Sequence, residues 1–413
     1  MNDNTSYPMF RWFVLFVLCF LTATTSVLMI SPAPMVGVIA KHMGIHIGSV
    51  TAGYMGIFNF VSAFSCIAGG FLCDRFGYGR VLLWSSIVML VSTIPWPFIG
   101  TNFEAGLVLR ILQAIGVGPI FATAIPIAIQ WFPPKQRAYV MGFRGASISL
   151  GIAVGVLLVP MLLKITGDWQ STIAWMAVTC VVSLLISILV LVGPKAPVAV
   201  VQDQTVNPED DHLFRRALRR GVFWVGVIIC CSTAWTVMGY NDLVPGFMSI
   251  DPPIGLGLGM AVAGKYMAVK QLAYVIGAIV VGFILEKIFR GNNRGLISTA
   301  FVITFVSTLV MMTPLVHENP NFLLGCVVII GFAQSMIFPT TFVFIANNYP
   351  ASIAGRTQGI WFGVGNLASS VSVIVSGMAL KFTGSYTIPI IIIAATCLLG
   401  AIITPILRAP KLD

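Results

Sequence analysis

Four basic side chains lie inside long apolar runs of this sequence: Arg110, Arg144, Lys265 and Lys270. A charged side chain at the centre of a lipid bilayer costs about 2.5–3.5 kcal/mol on insertion scales, so it needs a partner or a cavity. Asp242 is the one acidic residue in these runs that could balance the four cations. Because arginine presents a planar fork of donors that matches an oxyanion, this excess of positive charge favours the binding of an anion.

Each of these cations also has a purely structural interpretation. Arg110 could donate to helix carbonyls and only tie helices together, and for this residue both interpretations stay open. For Arg144 and Lys270 we favour contact with a substrate. Lys265 lies near the outer end of its run, where its long stem can carry the ammonium group to the membrane surface.

Polar residues accompany the cations at helical spacing. Tyr266, Lys270 and Tyr274 follow one another at i, i+4 and i+8, so they share one face of a helix. This face could line a cavity or pack against a neighbouring helix, and we favour the cavity. Amide side chains in or near the same runs are further candidates for substrate binding, although such amides also serve as interhelical hydrogen bonds: Gln113, Gln334 and Asn366.

Acid–base chemistry has few candidates. If the function involves uptake and release of protons, Asp242 and Glu104 are the first carboxylates to test, whereas a function without proton transfer would need neither. The four histidines fall between the apolar runs, so none supports a proton relay within the membrane. The runs contain no nucleophile–base pair and no metal-ligand spacing, so we expect no enzyme activity, no metal ion and no cofactor.

The elements that carry these residues are membrane-spanning helices. The 413-residue chain is 58% hydrophobic and only 9% charged, whereas soluble domains carry about 25% charged residues. Spans of about twenty apolar residues are predicted near 11–39, 49–72, 79–100, 104–131, 138–163, 170–193, 221–248, 262–286, 295–315, 321–347, 353–380 and 386–408. The predicted domains are therefore a six-helix bundle over 1–193, a polar linker over 194–220 and a second six-helix bundle over 221–413.

The distribution of lysine and arginine predicts the orientation. With a cytoplasmic N-terminus, sixteen cations fall in inside loops, and three, Lys41, Lys164 and Lys381, fall in outside loops. Basic residues concentrate in cytoplasmic loops of membrane proteins, so both termini are predicted to be cytoplasmic. The same rule accounts for the net charge of +10 without a nucleic-acid partner.

The two halves repeat one local pattern. Gly70-Phe-Leu-Cys-Asp74-Arg75 closes the second predicted helix, and Gly282-Phe-Ile-Leu-Glu286-Lys287 closes the eighth. Arg137 follows the fourth helix and Arg356 the tenth, each after a proline. Repeats of this kind are typical of transporters with a substrate site near the bilayer midplane, at the interface of the halves.

The loop Gly70-Phe-Leu-Cys-Asp74-Arg75-Phe-Gly77-Tyr-Gly-Arg80 resembles the signature loop of the major facilitator superfamily. Arg110-x-x-Gln113-x-x-Gly116-x-Gly118 is similar to a second pattern of that family, with Ala114 in place of a glycine. The resemblance implies an all-α membrane protein of twelve helices in two pseudo-symmetric six-helix bundles. It also implies a cytoplasmic gate, to which we assign Asp74, Arg75, Gly77, Arg80, Arg137, Glu286 and Arg356.

The predicted function is secondary transport of a small organic or inorganic anion by alternating access, coupled to protons or to exchange of anions. A proton-coupled multidrug exporter is the alternative within the family, although the fifth helix lacks the Gly-Pro pair that the family's drug exporters carry. A membrane sensor that does not transport is the alternative of another class. We expect a monomer in the bacterial inner membrane, with the lipid bilayer and the small anion as its partners.

Overall fold

The computed structural model describes residues 7–45, 47–99, 102–197, 208–249, 255–314, 316, 319–383 and 385–410. All the regular structure in these ranges is helical. Up to residue 192 the helices are Phe10–Ile30, Val36–Met43, Ile47–Val50, Phe58–Phe76, Tyr78–Thr93, Trp96–Ile99, Phe103–Ala122, Ala124–Trp131, Arg137–Thr166, Trp169–Trp175 and Ala177–Val192. The later helices are Pro208–Arg219, Gly221–Ser249, Gly259–Phe283, Asn293–Val310, Pro320–Asn348, Ala354–Thr383 and Thr387–Ile403.

Five tighter or wider turns join or extend these helices. Ala33–Met35, Pro134–Gln136 and Thr404–Ile406 are 3-10 turns, and Thr51–Ile57 and Ile284–Ile288 are π-turns.

Twelve helical stretches in the described ranges are long and apolar enough to cross a membrane. We number them spans 1 to 12 in chain order: Phe10–Met35, Gly53–Phe76, Tyr78–Ile99, Phe103–Trp131, Pro134–Thr166, Trp169–Val192, Gly221–Pro245, Val262–Ile288, Asn293–Val310, Asn321–Asn348, Ala354–Ser376 and Thr387–Ile406. Each overlaps one predicted run, which confirms the twelve-helix prediction. A helix suits lipid because every backbone N–H and C=O inside it is hydrogen-bonded within the segment.

The helices assemble into two compact units. The first unit comprises Met1–Val140, Ser147–Leu213 and Tyr349–Gly363, so it includes the beginning of span 11. The second comprises Met141–Ala146, Phe214–Asn348 and Val364–Asp413, so it includes a short piece of span 5. The predicted domain boundaries at 193 and 220 stay a prediction.

Side-chain caps define where several helices begin. The side chain of Asn102 accepts a hydrogen bond from the Ala105 N–H at 2.8 Å, and Asp168 does the same for Ser171 at 2.8 Å. Asn292 caps span 9 in the same way, through the N–H of Gly295 at 3.1 Å. These residues satisfy N–H groups that have no partner within the helix.

In the first unit, span 5 packs closely against span 1. Gly151 lies against the Ala23 backbone, and a methyl group on Gly155 would lie 2.5 Å from Cγ2 of Ile30. Only a residue without a side chain allows this approach of two helices. The spacing Gly151-x-x-x-Gly155 is thus a close-packing face.

Candidate functional site

Arg110 belongs to the first unit, where its side chain is fully buried. Its Nε donates to the Tyr54 carbonyl at 2.8 Å, and Nη1 and Nη2 donate to the carbonyls of Leu28 at 2.9 Å and Met29 at 3.1 Å. Nη1 also donates to Oε1 of Gln113 at 2.9 Å. The guanidinium carbon lies 4.1 Å from the centre of the Phe58 ring.

These contacts join spans 1, 2 and 4 through one cation. Gln113 extends the network to span 3, because its Nε2 donates to the Thr93 hydroxyl at 3.0 Å. The donors of Arg110 point at backbone carbonyls, which fits the interpretation of this residue as a tie between helices. A substrate role for Arg110 and Gln113 stays a prediction.

Arg144 belongs to the second unit, and only 2% of its surface is exposed. Its guanidinium carbon lies 5.5 Å from the centre of the Phe342 ring on span 10. The surrounding turn of span 5 packs on span 8, where a methyl group on Gly145 would lie 3.7 Å from Cβ of Ala278. Arg144 therefore lies inside a group formed by spans 5, 8 and 10.

Lys270 lies in the same unit, on span 8, and is 1% exposed. Its Nζ donates to Oδ1 of Asn241 at 2.8 Å and lies 5.7 Å from the centre of the Tyr240 ring. On another side, a methyl group on Gly331 of span 10 would lie 3.0 Å from Cγ of Lys270. A buried ammonium group thus lies among residues of spans 7 and 10, hydrogen-bonded to a neutral amide.

The polar companions of Lys270 are also in the second unit. Tyr274 and Tyr266 are half-buried, and Tyr274 is close enough to Arg144 for an electrostatic interaction. Gln334 is 1% exposed, and neither of its amide atoms has a hydrogen-bond partner among the described residues. Asn366 is half-buried, and its backbone carbonyl accepts a hydrogen bond from the Ser369 hydroxyl at 2.7 Å. Tyr266, Tyr274, Gln334 and Asn366 stay predicted substrate contacts.

Asp74, a candidate gate residue, lies at the end of span 2, where its side chain is 2% exposed. Its two carboxylate oxygens accept the backbone N–H of Gly355 at 3.0 Å and of Arg356 at 2.9 Å. These N–H groups belong to the first turn of span 11, where the positive end of the helix dipole favours a carboxylate. The structure therefore brings Asp74 and Arg356 together within the first unit.

Arg356 also links Asp74 to a residue that the sequence did not indicate. Its Nε lies 3.4 Å from Asp74, and its Nη1 forms an ion pair with Asp211 at 2.5 Å. Asp211 belongs to the helix Pro208–Arg219, within the predicted linker. The linker thus contacts the start of span 11, and the acidic run Glu209-Asp210-Asp211 was the signal that could have suggested it.

The remaining gate candidates differ in exposure. Arg75 and Arg80 are exposed, Arg137 is 5% exposed, and Glu286 is half-buried in a π-turn. Gly77 has φ of 85°, a conformation that glycine adopts without strain at the turn between spans 2 and 3. Of the two candidates for proton coupling, Glu104 is exposed in the first turn of span 4, and the side chain of Asp242 lies outside the described part of the structure.

Comparison with known proteins identifies the family. The family model described as Major Facilitator Superfamily matches residues 12–315 and 255–411. The chain belongs to the major facilitator superfamily. A crystal structure of the E. coli fucose:proton symporter FucP has the same fold, with a TM-score of 0.76 and 14% sequence identity, over 97% of this chain and 100% of that one.

Several relatives carry names of small organic anions. The "Cis,cis-muconate transport protein" of Acinetobacter baylyi is 22% identical over 79% of this chain and 78% of that protein. The "Probable sulfoacetate transporter SauU" of Cupriavidus necator is 24% identical over 84% of this chain and 83% of that protein.

One further residue of this major facilitator was missed by the sequence reasoning. Gln358 of span 11 is fully buried, and its amide donates to the Phe121 carbonyl at 2.8 Å and accepts the Ile125 N–H at 3.0 Å. These two backbone groups flank Thr123, the residue between the two helices of span 4. In a continuous helix the Ile125 N–H would donate to the Phe121 carbonyl, so Gln358 bridges an i, i+4 pair that is separated at the break before Pro126. A proline within an apolar run was the only local signal.

Proposed function

We propose that this major facilitator transporter moves a small organic anion and binds it with Lys270 and Arg144. The observation that carries the proposal is the environment of Lys270. Its ammonium group is buried within a membrane span and donates to a neutral amide, Asn241. A neutral oxygen compensates a buried charge poorly, so the arrival of an anion would stabilise the site.

Arg144 adds a second buried cation to the same unit. Gly145, its neighbour in sequence, lies against Ala278 on span 8, eight residues after Lys270 on one continuous helix. At 1.5 Å per residue, this places the two cations at levels about 12 Å apart along the helix axis. Both side chains are long, so an anion with an acid group at each end could contact both.

The names of the relatives support this class of cargo. Muconate and sulfoacetate both carry two acid groups. The transporters named for them are 22% and 24% identical to this chain. A site with two cations at separate levels would suit such molecules better than it would suit a neutral sugar, because each acid group would contact a charged donor. The proposed substrate is therefore an organic anion with two acid groups.

The proposed gate is the contact between the ends of spans 2 and 11. Asp74 holds the first turn of span 11, and Gln358 holds the broken region of span 4 one turn further along. Separation of these contacts would open the end predicted to face the cytoplasm. Alternating access would then depend on making and breaking a few hydrogen bonds at this end.

Coupling and location complete the proposal. Proton symport would require a carboxylate that takes up and releases the proton, and Asp242 and Glu104 are the candidates. Exchange of two anions would require no such carboxylate. The muconate and sulfoacetate relatives come from bacteria, and the bias of lysine and arginine supports an inner-membrane protein with both termini in the cytoplasm.

The test is binding of defined anions to purified wild-type protein and two lysine variants. We expect thermal stabilisation by cis,cis-muconate or sulfoacetate, and less by the monomethyl ester of muconate or by acetate. Lys270→Gln should lower the affinity by about 10- to 150-fold, which corresponds to 1.5–3 kcal/mol for a hydrogen bond to a charged group. Lys265→Gln is the matched control, because Lys265 is exposed near the outer end of the same helix.

Three results would count against the proposal. Equal affinity of wild type and Lys270→Gln would remove Lys270 from the site. Stabilisation by cationic amphipathic compounds such as ethidium, with none by anions, would favour drug efflux. Binding of an anion without counterflow in proteoliposomes would favour a sensor.

A further inference from the structure

A basic pocket lies in the second unit, at the ends of spans 8, 9, 10 and 12. It has a volume of about 800 Å³ and is open on one side. Its lining includes Arg290 and Arg294 from the turn between spans 8 and 9, Arg408 after span 12, and Phe344 and Asn348 near the end of span 10. The pocket is separate from Lys270 and Arg144, which do not line it.

The charge of this pocket has one sign. Three arginines line it, all three are exposed, and none of its lining residues is acidic. No ion pair among the described residues involves these arginines. Three guanidinium groups around one concave surface would bind a phosphate group, because each offers a charged fork of donors.

A tight turn shapes the backbone on one side of the pocket. Arg290 has φ of 52° and Gly291 has φ of 77°, so two consecutive left-handed residues reverse the chain after span 8. Asn292 then caps span 9. The position of the Arg290 backbone is therefore set by a tight turn between two helix ends, and Arg294 follows in the first turn of span 9.

Exposed apolar side chains flank the same arginines. Ile288 precedes Arg290 by two residues and is 63% exposed, and Ile406 precedes Arg408 by two residues and is 55% exposed. Ile402, one turn earlier on span 12, is 64% exposed. A basic pocket next to exposed isoleucines matches an amphiphile, with a phosphate in the pocket and acyl chains against the apolar residues.

We propose that this pocket binds the headgroup of an anionic phospholipid. The bias of basic residues toward cytoplasmic loops accounts for the number of arginines at this end of the helices, but not for a concave surface that three of them line together. Anionic lipids of the cytoplasmic leaflet are attracted to such basic pockets between helix ends. The inference does not depend on the proposed cargo, because the two sites share no residue.

The test measures lipid binding to the full-length protein in a neutral detergent. We expect cardiolipin and phosphatidylglycerol to raise the unfolding temperature and to stay bound in native mass spectrometry, and phosphatidylcholine to do neither. Removal of one arginine should lower lipid affinity about fivefold, and removal of all three roughly a hundredfold. The triple variant is Arg290→Asn, Arg294→Gln and Arg408→Gln, where asparagine tolerates the left-handed backbone of position 290.

A matched control removes the same charge elsewhere. Arg215→Gln, Arg219→Gln and Arg220→Gln neutralise three exposed arginines at the linker helix and should leave lipid affinity unchanged. An equal loss in both triple variants would show diffuse attraction and overturn the proposal. If inorganic phosphate at millimolar concentration stabilises the protein and competes with lipid, the pocket takes free phosphate instead. Arg408 lies beyond the last helix, so the single variant Arg408→Gln tests the pocket even if the triple variant does not fold.

Discussion

Replacement of Asp74 by asparagine should weaken the contact between the end of span 2 and the start of span 11. The carboxylate accepts the N–H groups of Gly355 at 3.0 Å and Arg356 at 2.9 Å, one with each oxygen. Asparagine keeps one acceptor oxygen, turns an NH₂ group toward the other N–H, and carries no charge for the helix dipole. The substitution thus removes one hydrogen bond and the charge that strengthens the other.

The magnitude follows from the burial of this carboxylate. A hydrogen bond to a charged group contributes about 1.5–3 kcal/mol, and a charge near a helix N-terminus contributes about 0.3–2 kcal/mol, with the higher values in buried sites. Because the Asp74 side chain is only 2% exposed, the upper parts of these ranges apply, and we expect a loss of about 3 kcal/mol. That loss shifts the equilibrium between contact and separation about 100-fold.

Asp211→Asn is the matched control, because Asp211 is the other carboxylate that contacts Arg356. Its side chain is 43% exposed and its contact is an ion pair at 2.5 Å. Exposed ion pairs contribute about 0.2–1 kcal/mol, which corresponds to less than about fivefold. The two variants remove the same charge from partners of one arginine, so their difference isolates the buried hydrogen bonds of Asp74.

Hydrogen exchange of the Gly355 and Arg356 amides measures the effect directly, since these N–H groups donate to Asp74. We expect Asp74→Asn to accelerate their exchange up to about 100-fold, and Asp211→Asn less than about fivefold. Turnover should fall in Asp74→Asn, while substrate affinity stays near that of wild type. Unchanged exchange in Asp74→Asn, or equal acceleration in both variants, would refute the assignment of Asp74 as the main contact of this gate.

Substitutions at two further positions test the buried polar networks of the first unit. Arg110→Gln should destabilise the protein by about 1–3 kcal/mol for each of the three carbonyls of spans 1 and 2 that lose their donor, and thermal unfolding should show this loss. A well-folded Arg110→Gln protein that has lost only substrate affinity would instead assign Arg110 to the substrate site. Gln358→Leu should destabilise by about 1–3 kcal/mol for each orphaned backbone group of span 4. Gln358→Glu, compared at a pH at which this carboxyl is protonated, keeps an acceptor for Ile125 and a donor for Phe121, so it should lose less. Equal unfolding temperatures for the Leu and Glu variants would contradict a role for the Ile125 hydrogen bond.

The sequence indicated the spans well because lipid imposes a simple rule on composition. Each spanning segment must be apolar for about twenty residues, so its presence and approximate ends can be read locally. The Asp74 loop and the Arg110 pattern were also local features, and the match to the family model over residues 12–315 and 255–411 agrees with what they implied. Helix caps such as Asn102 follow the same local chemistry.

The partners of individual polar residues could be identified only from the tertiary structure. Arg356 lies 282 residues from Asp74 and 145 from Asp211, and Gln358 lies 237 from Phe121. In a soluble helix the polar face shows which side is exposed, but apolar residues surround every span, so the sequence does not show which face meets which neighbour. Asn241 was missed as the partner of Lys270 for the same reason.

The sequence by itself thus determined the twelve spans, the family and the excess of membrane cations over acids. Only the tertiary structure decided what those cations contact. Arg110 donates to carbonyls of two other spans, while Lys270 donates to a neutral amide among spans 7, 8 and 10. The physical reason is that a bilayer selects for hydrophobicity along each segment, whereas the partner of a buried charge is set by helices that are distant in sequence and adjacent in space.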